Sequence, residues 1–466
     1  MTDGRVHAFG DDALGEHDAV ALAAAVRSGE RSPAELAAAS AARAAAVEEL
    51  RPVAFALHDA PRSAPGAPDG PLYGVPTYLK DNVDLLGVPT GHGSAAFRAR
   101  PARTTAPFAE LYLATGVAVL GKTRLPEFGL NATTEYAAAE PVRNPWMPTH
   151  SSGASSGGSA VLVATGVVPI AHANDGGGSI RIPAAACGLV GLKPTRGRLV
   201  PNEQGRKLPL DIVTDGVITR SVRDTAAFYA AAERHHRNPA LPPVGLVEGP
   251  GGRKLRIGLV LDSPVSPSDE QTRQAVRETA ARLEAMGHQV TPATLPFGTD
   301  FSRDFLLYWG FIAFVIASTG RLVVDRSFRT RDLDPLTRGL RRSFLDEYRK
   351  GPGVIRRLRQ AERTYAGIFR EHDAVLSPAL AHTTPPLGHL SPTVPFEELR
   401  ERLLRYVAIT PVNNVSGGPA ITLPTGASAD GLPIGVHLSA AHGQERLLLE
   451  LAFALEADRP WRRIQD

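Results

Sequence analysis

The chain has 466 residues, 43% hydrophobic and 21% charged, a composition typical of a globular protein and not of a disordered one. Its 51 basic and 48 acidic residues leave a net charge of +3, which excludes a strong electrostatic field for nucleic acid. Cys187 is the only cysteine, so an intrachain disulfide is excluded. The polar N-terminus and an apolar run (residues 305–318) too short to span a bilayer predict a cytoplasmic protein without membrane attachment.

The predicted elements follow the order of an α/β protein. Apolar residues at helical spacing predict helices near the N-terminus, and short apolar runs between Gly- and Pro-rich turns predict an α/β core after them. We expect one domain over residues 1–466 with four parts: N-terminal helices (13–50), the core (51–235), a helical region at the substrate pocket (295–372) and the C-terminal part of the core (373–466).

A β-α-β unit is predicted between the core and the helical region. Residues 254–261 and 288–293 have the apolar pattern of strands, and residues 268–287 that of a helix. Ser268 or Asp269 would serve as the N-cap of this helix.

A glycine-rich loop before Ser179 is the first candidate for chemistry. Three glycines, Gly176 to Gly178, precede the serine, and glycine lets backbone approach a ligand closely. Free N–H groups there would stabilise a developing oxyanion, which makes Ser179 a candidate nucleophile. The alternative is an ordinary tight turn.

Lys80 and Ser155 are the other two candidates. Lys80 follows the apolar segment YGVPTYL, and burial favours the neutral form of a lysine, which is a competent base. The alternative is a surface lysine at a strand end. Ser155, in GASSGGS, is either a hydroxyl relay or part of a polar turn. We find neither a Ser-His-Asp set nor an HExxH motif, so we expect no metal, and a serine hydrolase would need another base.

Two motif matches are rejected. Residues 116–123 (GVAVLGKT) satisfy the P-loop pattern, but VAVL is itself a strand, whereas a phosphate-binding loop follows its strand. Residues 153–157 (GASSG) satisfy the nucleophile-elbow pattern, but two prolines stand where the elbow needs a preceding strand.

Taken together, the three residues and their loops resemble the amidase signature family of Ser-cisSer-Lys hydrolases. The strongest similarity covers residues 72–230, above all GGGSIRIPAAACGLVGLKPTRGR (176–198). Asn174 and Gly176 stand where the common family loop has threonine, which resembles the branch of 6-aminohexanoate cyclic-dimer hydrolases, aryl-acylamidases and carbamate (urethane) hydrolases. Arg124 stands where many members have asparagine, which places a charge near the site.

The resemblance implies a fold, a mechanism and a set of roles. The fold would be one large mixed β-sheet sandwiched between α-helices. Ser179 would be the nucleophile, Ser155 (after a cis peptide bond) the relay and neutral Lys80 the base. The backbone N–H groups of Gly176, Gly177, Gly178 and Ser179 would form the oxyanion hole. Amides, anilides or carbamates would be cleaved, with side activity on esters, by a monomer or homodimer that needs no cofactor.

The segment FLLYWGFIAFVIAS (305–318) has two interpretations, a substrate pocket or ordinary helix packing. As a pocket, it would present Tyr308, Trp309 and Phe314 to a bulky or aromatic substrate. Two other functions stay open, a glutamine-hydrolysing A-type subunit of a tRNA-dependent amidotransferase and a catalytically silent binding protein. Joint retention of Lys80, Ser155 and Ser179 argues against the silent protein.

Overall fold

Strands and helices alternate along the computed structural model, which describes residues 4–64, 70–263 and 265–466. The strands are β1 (Val53–Ala56), β2 (Pro76–Lys80), β3 (Ala118–Thr123), β4 (Ile170–Asp175), β5 (Val190–Lys193), β6 (Thr214–Thr219), β7 (Arg256–Leu259), β8 (Gln289–Pro292), β9 (Ala374–Pro378), β10 (Ala420–Ala427) and β11 (Pro433–Ala440). The helices are α1 (Ala19–Arg27), α2 (Pro33–Ala46), α3 (Pro107–Ala114), α4 (Gly157–Ala164), α5 (Arg181–Cys187), α6 (Val222–His235), α7 (Glu270–Ala285), α8 (Thr299–Val323), α9 (Pro335–Glu347), α10 (Gly351–Ile368), α11 (Phe396–Tyr406), α12 (Pro411–Ser416) and α13 (Glu445–Asp458).

An eight-stranded mixed sheet forms the centre of the fold, in the order β4-β6-β5-β10-β11-β9-β7-β8. Most neighbours are antiparallel, and β7 is parallel to β8 and β9. Side chains alternate between its faces, so Val217 belongs to an apolar cluster with residues of α6 and α13, whereas Ile218 belongs to a cluster with residues of α4 and α5. The predicted large mixed sheet between helices is confirmed.

A smaller, three-stranded sheet carries Lys80. In it β3 lies between β1 and β2, and β2 is parallel to β3. All five residues of β2 are buried, and its last residue is Lys80. The small sheet contacts β4 through Thr77, whose hydroxyl donates to the carbonyl of Ile170 at 2.8 Å. The N–H of Lys80 donates to His172 Nδ1 at 3.1 Å, so the end of β2 also lies beside β4.

The predicted β-α-β unit is confirmed as β7, α7 and β8, with the two strands parallel. Asp269, and not Ser268, is the N-cap, because its carboxylate accepts the N–H of Thr272 at 2.7 Å. Ser268 donates its hydroxyl to the carbonyl of Leu261 instead.

The predicted helical region consists of α8, α9 and α10, which pack on one another. By length and composition alone α8 could cross a membrane, with 28% of its most apolar window buried. Its Gly310 lies against α9, where an added Cβ would meet the carbonyl oxygen of Leu340 at 2.8 Å. This tight crossing holds one face of α8 toward the loops at the ends of β3 and β4.

Candidate active site

The loop between β4 and α5 is built around a buried ion pair. Asp175 and Arg181 are both fully buried, with Arg181 Nη2 at 2.9 Å and Nε at 3.0 Å from the carboxylate oxygens of Asp175. The same carboxylate accepts the backbone N–H groups of Gly178 at 2.8 Å and Ile180 at 3.0 Å. The pair therefore fixes the backbone on both sides of Ser179.

This ion pair has further partners on α12. Arg181 Nη2 donates to Asn414 Oδ1 at 2.8 Å, and Asn414 Nδ2 donates to Asp175 Oδ1 at 2.8 Å. Burial alone would raise the pKa of the Asp175 carboxyl, but the Arg181 guanidinium and these hydrogen bonds hold it well below its usual range. Asp175 is therefore a permanent anion that orders the loop.

The position of Gly178 shows how closely the loop is packed. Its φ is +131°, and a Cβ there would lie 2.4 Å from Thr410 Oγ1. The hydroxyl of Thr410 donates to the carbonyl of Gly177 at 2.8 Å. A side chain at residue 178 would therefore displace the loop from Thr410.

Lys80 and Ser155 lie together in the interior. Lys80 is 0% exposed, and its Nζ is 2.7 Å from Ser155 Oγ and 2.7 Å from Asn174 Oδ1. Burial lowers the pKa of Lys80 to about 7, although the carboxylates of Asp175 and Asp215 oppose the shift. Near neutral pH a large fraction of Lys80 is thus uncharged, as a base requires.

The backbone around these two residues is also ordered. The peptide bond between Ala154 and Ser155 is cis, as the family resemblance implies. The N–H of Lys80 donates to His172 Nδ1 at 3.1 Å, and His172 Nε2 lies 3.1 Å from Asp215 Oδ1. Burial lowers the pKa of His172 despite Asp215, so a neutral imidazole links β2 to β6.

Ser179 lies at the start of the segment that becomes α5 and is 7% exposed. Among the described residues its hydroxyl has no hydrogen-bond partner. The N–H groups of Gly176, Gly177 and Ser179 likewise donate to no described residue, whereas that of Gly178 is taken by Asp175. Three of the four predicted oxyanion donors are therefore available, and the fourth orders the loop instead.

A cleft of about 790 Å³, partly open to solvent, leads to Ser179. Gly129 and Leu130 form part of its wall together with Ile182 of α5, and none of the described residues that line it is charged. From α8 it receives Phe305 and Trp309, which are one turn apart and so share a face. Trp309 Nε1 donates to the carbonyl of Leu130 at 3.0 Å, which orients its ring.

The structure does not bring the other two predicted pocket residues, Tyr308 and Phe314, into the cleft. Tyr308 is one position before Trp309, about 100° around the helix, and its hydroxyl donates to the carbonyl of Leu210 at 2.6 Å. Phe314 lies on another face and packs on Phe344, with ring centroids 5.3 Å apart. Both belong to the packing between α8 and its neighbours, and of the three predicted pocket residues Trp309 alone lines the cleft.

Arg124, which we expected to place a charge near the site, contacts an aromatic ring. Its guanidinium lies 4.5 Å from the ring centroid of Tyr136, whose hydroxyl donates to the carbonyl of Leu125 at 2.8 Å. The arginine thus stacks on a ring held by the next residue of its own segment.

Several residues that order the site have no role in the sequence predictions. Asp175 and Arg181 lie close to the predicted nucleophile in the sequence. Their opposite charges within one glycine-rich motif are the sequence signal from which an ion pair could have been predicted. Thr410 and Asn414 lie far along the chain, in a segment without a comparable signal, and only folding brings them to the loop.

Comparison with known proteins agrees with this geometry. The protein-family model described as Amidase matches residues 34–449. A putative amidase AmiC of Mycobacterium leprae (strain TN) is 50% identical over 464 residues, covering 99% of each chain. The 6-aminohexanoate-cyclic-dimer hydrolase of Pseudomonas sp. (strain NK87) is 36% identical over 492 residues, covering 95% of each.

A solved structure shares the fold. A structure of 6-aminohexanoate cyclic dimer hydrolase superimposes with a TM-score of 0.85 at 33% sequence identity, covering 98% of this chain and 99% of the other. The similarity therefore extends over the sheet, the helical region and the loops at the candidate site.

Replacement of Arg181 by leucine tests the ion pair that orders the loop. Because the change leaves the buried Asp175 charge uncompensated, we expect the free energy of unfolding to fall by about 3–5 kcal/mol. Urea denaturation measures it. Arg303→Leu is the control, since Arg303 pairs with Asp300 at 3.4 Å on an exposed surface and its loss should barely move the midpoint. Equal midpoint shifts in both variants would contradict the assigned role.

Proposed function

The chain belongs to the amidase signature family and is a hydrolase of amides, and on that premise we propose that it works through an acyl-enzyme on Ser179. Ser155 is the relay and neutral Lys80 the base. The observation that carries this proposal is the 2.7 Å contact between Lys80 Nζ and Ser155 Oγ, fully buried beside a loop with unpaired N–H groups.

The first half of the reaction forms the acyl-enzyme. The Lys80 lone pair accepts the hydroxyl proton of Ser155. Ser155 Oγ in turn takes the hydroxyl proton of Ser179 as Ser179 Oγ attacks the substrate carbonyl carbon. The N–H groups of Gly176, Gly177 and Ser179 donate to the oxyanion as charge develops on it. The relay then reverses, so that the proton passes through Ser155 to the leaving amine as the C–N bond breaks.

The second half releases the acid. A water molecule takes the place of the amine and gives one proton to Ser155 as it attacks the acyl ester carbon, while the hydroxyl proton of Ser155 passes to Lys80. Collapse of the second tetrahedral intermediate returns the proton to Ser179 and regenerates the free enzyme. The proton balance closes on protein groups and water, so the proposal needs no cofactor.

The uncharged cleft favours amides, anilides or carbamates with apolar groups. Phe305, Trp309 and Leu130 present apolar surface next to Ser179, and burying such surface in a substrate is favourable. Free glutamine carries an ammonium and a carboxylate, and neither would find an opposite charge among the residues that line the cleft. This observation favours the amidohydrolase over the amidotransferase subunit.

A panel of substrates tests this function. Wild type should release amine from a 4-nitroanilide or an aryl carbamate and from linear aliphatic amides with apolar acyl groups, but not from glutamine, because only uncharged groups fit the cleft. Amine release is measured by absorbance or by ammonia assay.

Ser179→Ala is run beside wild type on every substrate of the panel. The variant should retain the fold, since the hydroxyl of Ser179 has no described partner, and should lose all release. Glutamine as the only substrate, or undiminished release by Ser179→Ala, would count against the proposal.

Trp309→Ala tests the cleft wall. Removing the indole enlarges the cleft beside Gly177, so we expect the ranking of anilides by kcat/KM to shift toward bulkier acyl groups by about tenfold, the range of one hydrophobic contact. Phe314→Ala is the matched control, an aromatic of the same helix outside the cleft, and should leave the ranking unchanged. The same ranking in all three proteins would remove Trp309 from substrate binding.

The pH dependence of kcat tests the base. Because Lys80 acts in its neutral form, kcat should rise as pH increases through its pKa of about 7 and then level off. Lys80→Met removes the base and should abolish turnover across this range. A rate–pH profile on an anilide, whose own charge does not change there, provides the measurement, and a Lys80→Met enzyme with the wild-type profile would refute the role of the lysine.

A further inference from the structure

Asn174 contacts the lysine directly. It is the next-to-last residue of β4 and is 4% exposed, and its Oδ1 lies 2.7 Å from Lys80 Nζ. Among the described residues, Ser155 and Asn174 are the two hydrogen-bond partners of Lys80 Nζ. No described carboxylate forms an ion pair with Lys80, so an uncharged amide oxygen stands where a counter-ion would otherwise stand.

The chemistry of the two groups decides the direction of each hydrogen bond. An amide oxygen only accepts, so Lys80 must donate one N–H to Asn174. A neutral amine keeps one lone pair, and with an N–H directed at Asn174 that lone pair can face the Ser155 hydroxyl. The asparagine therefore orients the lysine for accepting a proton from Ser155.

The side-chain amide of Asn174 is anchored through its oxygen alone, because its buried Nδ2 has no hydrogen-bond partner among the described residues. Its Oδ1 also lies 3.4 Å from Asn82 Nδ2, a second donor that favours the oxygen on this side. Its backbone carbonyl accepts the hydroxyl of Ser156 at 3.4 Å. In the strand register residue 174 pairs with Asp215 of β6, so its position follows from the central sheet.

The charged groups around Lys80 already have partners of their own. Asp175 at the end of β4 is paired with Arg181. Asp215 on β6 accepts from Asn202 Nδ2 at 2.8 Å and lies beside the neutral His172. Asp81, which follows Lys80, lies 3.6 Å from Lys122 of β3.

Asn174 is thus an uncharged contact of Lys80, and the charged groups around it are paired with other residues. We propose that Asn174 is a positioning residue that holds Lys80 as an uncharged base directed at Ser155. This inference rests on the proposed function of Lys80 and goes beyond it, because it names the group that orients the neutral amine without adding a counter-ion.

Asn174→Asp is the decisive variant, since it keeps the shape and adds a negative charge beside Nζ. The charge favours the ammonium, so the acid limb of the kcat–pH profile should move upward by about one unit or more. At pH 7 the rate should fall about tenfold or more, and it should recover at higher pH. An acid limb at the wild-type position in a folded Asn174→Asp enzyme overturns the inference.

Two neutral variants separate positioning from folding. Asn174→Ala removes the acceptor without adding charge, so kcat should fall about tenfold or more with KM unchanged and with no upward shift of the limb. Asn174→Thr restores an oxygen acceptor and should recover part of that loss. Wild-type kcat in Asn174→Ala overturns the inference, and so does a loss in Asn174→Ala that the threonine does not reduce. These two variants decide the matter if Asn174→Asp fails to fold.

Failure of the proposed function gives a different pattern. A wild-type profile without an acid limb near pH 7, or turnover by Lys80→Met, removes Lys80 as the base whatever the Asn174 variants do. A normal wild-type limb with loss of activity in Lys80→Met, combined with an unshifted limb in Asn174→Asp or wild-type kcat in Asn174→Ala, removes only the role of Asn174.

Discussion

The buried ion pair between Asp175 and Arg181 is the constraint on which the candidate site depends. Both charges lie out of contact with water, so each needs the other and several further hydrogen bonds. Those bonds come from the loop itself, through Gly178 and Ile180, and from Asn414 of α12. A loop rich in glycine would otherwise have many conformations, and the pair selects the one in which Ser179 faces the cleft.

A second constraint acts on the opposite side of the site. Lys80 ends a fully buried strand, and the cost of burying its charge makes the neutral amine accessible near neutral pH. The two buried basic groups thus serve opposite purposes. Arg181 forms an ion pair with a carboxylate, whereas Lys80 faces an amide and a hydroxyl, and burial favours its neutral form.

One helix, α8, contributes both to the wall of the cleft and to the apolar packing of the helical region. One face of α8 places Phe305 and Trp309 in the cleft, while Tyr308 and Phe314 pack against neighbouring segments. Because adjacent residues on a helix point about 100° apart, a wholly apolar sequence can supply both faces. The tight crossing at Gly310 sets which residues turn toward Ser179, so the lining of the cleft depends on the packing of α8 against α9.

The sequence by itself determined the family, the fold class and the β-α-β unit, and it predicted Lys80, Ser155 and Ser179 as site residues, because glycine spacing, strand patterns and a local motif are properties of neighbouring residues. Only the tertiary structure decided which side of α8 faces the cleft, since a helix that is apolar all round has no periodicity to distinguish a pocket from a core. It also decided that Asn174 faces Lys80, because a hydrogen bond between residues 94 positions apart leaves no trace in a local sequence pattern. The hydrogen bond from the Gly178 N–H to Asp175 spans three positions, but the loop conformation that forms it depends on Thr410 and Asn414 from a distant segment.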